Sequence, residues 1–122
     1  DRVFSVKGAG TVVTGTLVEG ALEVGSPLRI LGPERELGAS ARRLQVHGET
    51  RDRVMAPTRL ALNLSGVARQ DLDRGDVLTD DGHALPTRVL DVWLQALEPL
   101  KRGAEAAIFV GPARSVARLH VG

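Results

Sequence analysis

The first sixteen residues constrain the fold most, because two β-patterned runs meet there around a Gly-x-Gly turn. Residues 2–7 place Val3 and Ser5 on one face and Arg2, Phe4 and Val6 on the other, and residues 11–18 are rich in β-branched side chains. Two such runs separated by the short glycine-containing turn at residues 8–10 predict a β-hairpin. The chain therefore begins as strand, turn and strand.

A glycine-rich turn after a strand can also bind phosphate, so the glycine spacing tests that alternative. The dinucleotide fingerprint fails because the glycine after Gly10 is Gly15. Gly10 and Gly15 stand at P-loop spacing, but Thr16 and Leu17 occupy the positions where lysine and a hydroxyl residue reach the phosphates and magnesium. The β-branched run that follows is also a poor helix start. A nucleotide-dependent oxidoreductase or P-loop enzyme is therefore not expected.

Short β-patterned runs separated by glycine and proline continue along the chain. They cover residues 28–31, 40–47, 59–64 and 77–79, with a helical turn predicted over 68–73, and then residues 88–97, 105–111 and 113–121. In residues 59–64, the side chains of Leu60, Leu62 and Leu64 are expected to face the core. Even spacing of short strands without helix periodicity predicts an all-β fold of the barrel class.

The polar stretch 80–86 separates two parts of the chain. It contains glycine and proline and few groups that can pack, so it is the best candidate for a linker. We expect one domain over residues 1–82, a linker at 83–86 and a second, incomplete β domain over 87–122. Three strands in the second part are too few to close a barrel.

Composition excludes several classes of protein. The chain has 122 residues, 43% of them hydrophobic, and no cysteine, which rules out disulfides, thiolate metal sites and cysteine nucleophiles. Without a signal peptide or a long apolar run, a cytoplasmic protein with no membrane partner is expected. The net charge is +1, with most of the cations in the first 70 residues. Because aromatic residues are scarce, any RNA contact should be to phosphate or to an end of the molecule.

No catalytic or metal-binding pattern stands out. The three histidines are His47, His83 and His120. None belongs to a ligand-spaced pair, so we expect no zinc site. Asp71, Asp73 and Asp76 loosely resemble a calcium loop that lacks its closing glutamate, and a solvated turn is preferred. The notable polar residues are Asp1, Arg2 and Arg59 at the starts of strands, and spacing alone also fits ordinary solvated charges there.

Several segments together resemble the second domain of translational GTPases, and most closely the bacterial selenocysteine-specific elongation factors. The segments that carry this resemblance are DRVFSVKGAGTVVTGT at residues 1–16, EVGSPL at 23–28, LQVHG at 44–48, RLALNLSG at 59–66 and RGDVL at 74–78. The similarity is strong over about residues 1–82. Residues 87–122 look like the opening strands of the β-barrel domain that follows in this family. The resemblance therefore implies a translational-GTPase domain 2 type β-barrel followed by part of a second β-barrel.

The resemblance also implies a binding site. In the selenocysteine family, the residues matching Asp1, Arg2 and Arg59 line the aminoacyl pocket, and general elongation factors carry an anion at the position of Arg2. A selenol is more acidic than a thiol and is anionic at neutral pH. Charge-assisted contacts from arginine would therefore favour selenocysteine over neutral serine.

The implied partners are selenocysteinyl-tRNA, the GTPase domain of the same protein and, through the whole factor, the ribosome. GTP and magnesium would belong to an N-terminal domain outside this segment, which itself would need no cofactor and would not be an enzyme. Two alternatives remain: domain 2 of another translational GTPase, which Arg2 and Ala9 argue against, and a barrel that only docks other domains.

Overall fold

The computed structural model describes residues 1–121, and the chain divides into two compact units, Asp1–Pro86 and the part from Thr87 onward. Both units are built from antiparallel strands, so the all-β prediction is confirmed. Among the described residues no helix is long and apolar enough to cross a membrane. The strands of the first unit are β1 (Arg2–Val6), β2 (Gly10–Leu17), β3 (Ala21–Glu23), β4 (Pro27–Leu31), β5 (Glu36–Val46), β6 (Glu49–Arg51), β7 (Arg53–Met55), β8 (Thr58–Ser65) and β9 (Val77–Thr79).

The main sheet of the first unit has the strand order β1-β2-β8-β5-β4-β9, with β6 paired to β5. The predicted hairpin of β1 and β2 is present, with Val3 opposite Val13. β2 pairs in turn with β8, which places Val13 opposite Leu62. Within the described residues β1 and β9 are the outermost strands of this order, and no hydrogen-bonded ladder joins them. The predicted helical turn is a short 3₁₀ turn at Arg69–Asp71.

The core lies on one face of this sheet. Ile30 and Leu44 are completely buried, and the inward side chains of β8, Leu62 and Leu64, pack in the same cluster as predicted. Leu22 of β3 and Val54 of β7 bring the small β3–β7 sheet against this core. Burial of each such aliphatic side chain stabilises the fold by roughly 1.5 to 3 kcal/mol.

A β-bulge in β5 keeps the pattern of buried residues in register. Ala41 pairs with Leu64 and Arg43 with Asn63, so Arg42 is the extra residue. Ala41 and Leu44 are three positions apart and would point to opposite faces of a regular strand. The bulge turns both of them into the core and leaves Arg42 and Arg43 on the exposed side.

The linker candidate follows β9 and is attached to β4 by Arg29. The Nη1 atom of Arg29 donates to the carbonyl oxygens of Asp81 at 2.6 Å and Ala84 at 3.0 Å, and its Nε donates to Glu36 Oε1 at 2.6 Å. This bond from Arg29 holds the pKa of the Glu36 carboxyl below its ordinary value. Residues 81–84 are therefore tied to the first unit despite their exposure.

The second unit contains one hairpin among its described residues, formed by β10 (Glu105–Val110) and β11 (Ala113–Arg118). These two predicted strands are present, but the strand expected over residues 88–97 is not, and that prediction was wrong. An alternating apolar pattern becomes a strand only when a neighbouring strand accepts its backbone hydrogen bonds. No described strand pairs with this segment, and Trp93 and Leu97 within it are fully or almost fully exposed.

Candidate functional site

Asp1 and Arg59 meet at one end of the main sheet. They are far apart in sequence, but the order β1-β2-β8 places the start of β1 beside the end of β2 and the start of β8. Arg2 pairs with Thr14, and Arg59 pairs with Thr16. Antiparallel pairing thus collects the residues at this sheet end from three strands.

The guanidinium of Arg59 is held by two neighbours. Its Nη1 atom donates to Asp1 Oδ2 and, at 3.0 Å, to Thr16 Oγ1. The side chain of Arg59 is nevertheless 57% exposed, against 30% for Asp1. Its remaining N–H groups have no partner among the described residues. Arg59 therefore has a fixed position and can still donate hydrogen bonds to an anionic group.

Arg2 lies on the same outer face of the sheet but is not part of this ion pair. Its side chain is exposed and makes no hydrogen bond or ion pair with any described residue. The structure therefore brings together two of the three expected pocket residues, Asp1 and Arg59. It places Arg2 at the start of β1, directly after Asp1 and opposite Thr14 of β2, as an uncompensated cation.

A shallow depression of about 230 Å³ lies next to Arg59 on the outer face of the sheet. Ala61 lies between Thr14 and Gln45 in the strand ladders, and its small side chain leaves the space open. The Oγ1 atom of Thr14 is buried and has no hydrogen-bond partner. The residues lining the depression are Thr14, Gln45, His47, Gly48, Arg59, Leu60 and Ala61.

Sequence analysis did not assign Thr14, Gln45 or His47 to a site. The usable signal was the alternation along β8, because Ala61 and Arg59 share the face opposite to the core leucines. Alternation did not identify the residues of β5 that lie on this face. The bulge at Arg42 shifts their register against β8.

A second, larger depression of about 370 Å³ lies beside the turn at residues 8–10. Its charged lining residues are Arg42, Arg43 and Asp52, and Arg43 Nη2 donates to Thr50 Oγ1 at 2.9 Å. Asn63, which is buried, donates from Nδ2 to the carbonyl oxygen of Ala9 at 3.1 Å and so holds the turn against β8. Both arginines come from the bulged part of β5.

The glycine turn itself does not fit a phosphate cradle. It closes the antiparallel β1–β2 hairpin, with Gly8 and Gly10 at positive φ, whereas a P-loop leads into a helix whose first N–H groups bind the phosphates. The residues of this turn therefore provide no site for the phosphates of GTP. In the acidic loop after the 3₁₀ turn, the carboxylates of Asp73 and Asp76 are already paired with a side chain of the same unit. Arg35 forms ion pairs with Asp73 at 3.0 Å and with Asp76.

No family model matches the chain. It is, however, similar to the selenocysteine-specific elongation factors of Desulfomicrobium baculatum (38% identity), Haemophilus influenzae (35%) and Escherichia coli (40%). These alignments cover 98%, 98% and 82% of the chain but 19%, 19% and 16% of the relatives, so the chain spans less than a fifth of their length.

The structure is also similar to the apo form of translation elongation factor SelB from Methanococcus maripaludis. The TM-score is 0.58 at 35% sequence identity, over 64% of this chain and 17% of that protein. Sequence and fold thus agree on the same family. The chain belongs to the selenocysteine-specific elongation factors, as a segment of that type of protein.

Proposed function

We propose that this segment binds the aminoacylated end of selenocysteinyl-tRNA within a GTP-dependent elongation factor that delivers this tRNA to the ribosome. The observation that carries the proposal is Arg59, which is held by Asp1 and Thr16 but keeps exposed donors beside an open depression. In this proposal Asp1, Arg2 and Arg59 line the aminoacyl pocket. GTP and magnesium are bound by another domain of the factor, in the cytoplasm.

Arg2 and Arg59 would contribute to binding in different ways, because their surroundings differ. Arg2 has no described anionic partner, so an anionic aminoacyl group would be its counter-ion. Arg59 is already paired with Asp1, and it contributes directed hydrogen bonds from a fixed position. A selenolate would gain from both arginines, whereas the neutral hydroxyl of serine would gain little.

The domain assignment is part of the same proposal. Residues 1–82 would form the domain 2 type module, residues 83–86 the linker, and residues 87–122 the first part of the following domain. The division of the chain into units at Pro86 supports this assignment. A purely structural docking module is the second candidate, and it predicts that changing the arginines leaves aminoacyl selectivity intact.

The test is tRNA binding by the full-length factor with Arg2→Ala and Arg59→Ala. Each substitution should weaken selenocysteinyl-tRNA roughly ten- to a hundredfold, and seryl-tRNA much less, at one fixed salt concentration. Arg53→Ala is the matched control. Arg53 also starts a strand, is 57% exposed and pairs with Glu23 at 3.4 Å, but it lies on the β3–β7 sheet. Equal losses for the two aminoacyl groups would refute the pocket assignment.

A further inference from the structure

Thr16 is the uncharged neighbour of Arg59 at the sheet end. It lies directly across from Arg59 in the ladder of β2 and β8, so the two side chains emerge on the same outer face. Its Oγ1 atom accepts a hydrogen bond from Arg59 Nη1 at 3.0 Å. The hydroxyl of Thr16 is therefore one of the two groups that hold the guanidinium.

Both acceptors of Arg59 bind the same nitrogen. Nη1 carries two N–H groups, and it donates to Asp1 Oδ2 and to Thr16 Oγ1. The five N–H groups of a guanidinium lie in one plane, so two acceptors on one nitrogen fix the direction of the other donors. Those donors are Nε–H and the two N–H groups of Nη2, and no described residue accepts from them. The free edge of Arg59, which these three N–H groups form, thus has one set direction.

The ion pair with Asp1 does not set this direction by itself. An arginine side chain has several rotatable bonds, and a partly exposed ion pair restricts them only weakly. A single carboxylate oxygen leaves the guanidinium free to turn about that contact. A threonine hydroxyl opposes this rotation, because the β-branched side chain of Thr16 has few rotamers and is carried by a strand that pairs with β8.

We infer that Thr16 is a positioning residue of the aminoacyl pocket: by accepting from Nη1, its hydroxyl turns the free edge of Arg59 toward the aminoacyl group. This inference rests on the function proposed above. Directed hydrogen bonds from a charged donor gain more from a selenolate than from the neutral hydroxyl of serine. Thr16 therefore raises selectivity through Arg59 and without a contact of its own to the tRNA.

Thr16→Val tests this inference, because valine has nearly the shape of threonine, favours strands and lacks the hydroxyl. The ion pair between Asp1 and Arg59 stays in place. In the full-length factor at fixed salt, the ratio of selenocysteinyl- to seryl-tRNA affinity should fall roughly two- to tenfold, the value of one hydrogen bond. Thr16→Ser keeps the hydroxyl and should restore most of the ratio.

Thr50→Val is the matched control. Thr50 is also an exposed threonine on a strand, and its Oγ1 atom accepts from Arg43 Nη2 at 2.9 Å, away from Arg59. This variant should keep the wild-type ratio. A fall in the ratio for Thr50→Val as large as that for Thr16→Val would overturn the inference, because loss of any threonine–arginine bond would then have the same effect.

A double substitution separates a positioning role from a general effect on the fold. If Thr16 acts through Arg59, Thr16→Val should not lower the ratio further in the Arg59→Ala factor. An equal fall in both backgrounds would show that Thr16 acts without Arg59, and the inference would be wrong.

The outcomes also separate this inference from the proposed function. If Thr16→Val keeps the wild-type ratio, or if Thr16→Ser does not restore it, Thr16 does not position Arg59. Loss of selectivity in Arg59→Ala would still support the pocket in that case. If Arg59→Ala keeps the wild-type ratio, both the pocket assignment of Arg59 and the role of Thr16 are refuted.

Discussion

Asp1 differs from the two arginines because its carboxylate accepts a hydrogen bond from Arg59. Asp1→Asn removes the charge that fixes this guanidinium, and the proposed aminoacyl pocket should then lose order for every aminoacyl group. We therefore expect weaker binding of both selenocysteinyl- and seryl-tRNA, by about two- to fivefold, the scale of a partly exposed ion pair. Binding measured in parallel for the two ligands tests this, and a loss confined to selenocysteinyl-tRNA would contradict it.

The sequence predicted individual site residues only where a motif carried them. Asp1, Arg2 and Arg59 came from the resemblance, and their pocket role remains a prediction. Spacing alone did not connect Asp1 to Arg59, because their contact depends on the pairing of β1, β2 and β8. His47 was set aside as a lone histidine. Its place beside Arg59 depends on the register of β5 and β8 after the bulge at Arg42.

At the scale of elements, the alternation of polar and apolar residues predicted the longer strands well. Strands β3, β6 and β7 were missed, and each has only three residues, too few to show a period of two. β9 is equally short but was predicted, because its apolar run Val77–Thr79 follows the turn at Gly75. The strand predicted over residues 88–97 failed for the opposite reason. Its sequence pattern is strong, but no described strand supplies the hydrogen bonds that would order it.

Arg29 provides a prediction about the segment that follows β9. Arg29→Met keeps the apolar stem and removes the donors to Asp81 and Ala84. Amides in residues 81–84 should then exchange with solvent roughly three- to tenfold faster at neutral pH. Hydrogen exchange measures this, with Arg53→Met as the control for loss of an exposed arginine. Unchanged exchange at these amides would mean that Arg29 does not hold the segment.

Arg29→Met should also remove the part of the free energy of unfolding of the first unit that the Arg29–Glu36 bond contributes, and with it the pH dependence of that part. Arg29 lowers the pKa of Glu36 in the folded state, so their bond stabilises the fold above the ordinary glutamate pKa of about 4.3. That contribution is lost as the pH falls through the lower, folded-state pKa. In the wild-type chain, residues 81–84 should remain bonded to Arg29 in acid, because Arg29 donates to their backbone carbonyls, which do not titrate.

At the scale of the whole molecule, the two units differ in how they protect their strand edges. The outermost strands in the order of the main sheet are β1 and β9. β1 carries the charged Arg2 and β9 has only three residues, and both features discourage pairing with another chain. In the second unit the hairpin β10–β11 exposes Phe109 and Val116, and the unpaired segment 88–97 exposes Trp93.

The 122-residue chain should therefore self-associate through its second unit, since unpaired strand edges and exposed apolar side chains favour pairing between molecules. Sedimentation velocity at increasing protein concentration should show dimers or larger species for the whole chain. A chain ending at Pro86 should stay monomeric under the same conditions, because the first unit has its own buried core. A monomeric whole chain whose residues 88–97 are protected from hydrogen exchange would show that this segment is paired within its own molecule, and the explanation given for the missing strand would then be wrong.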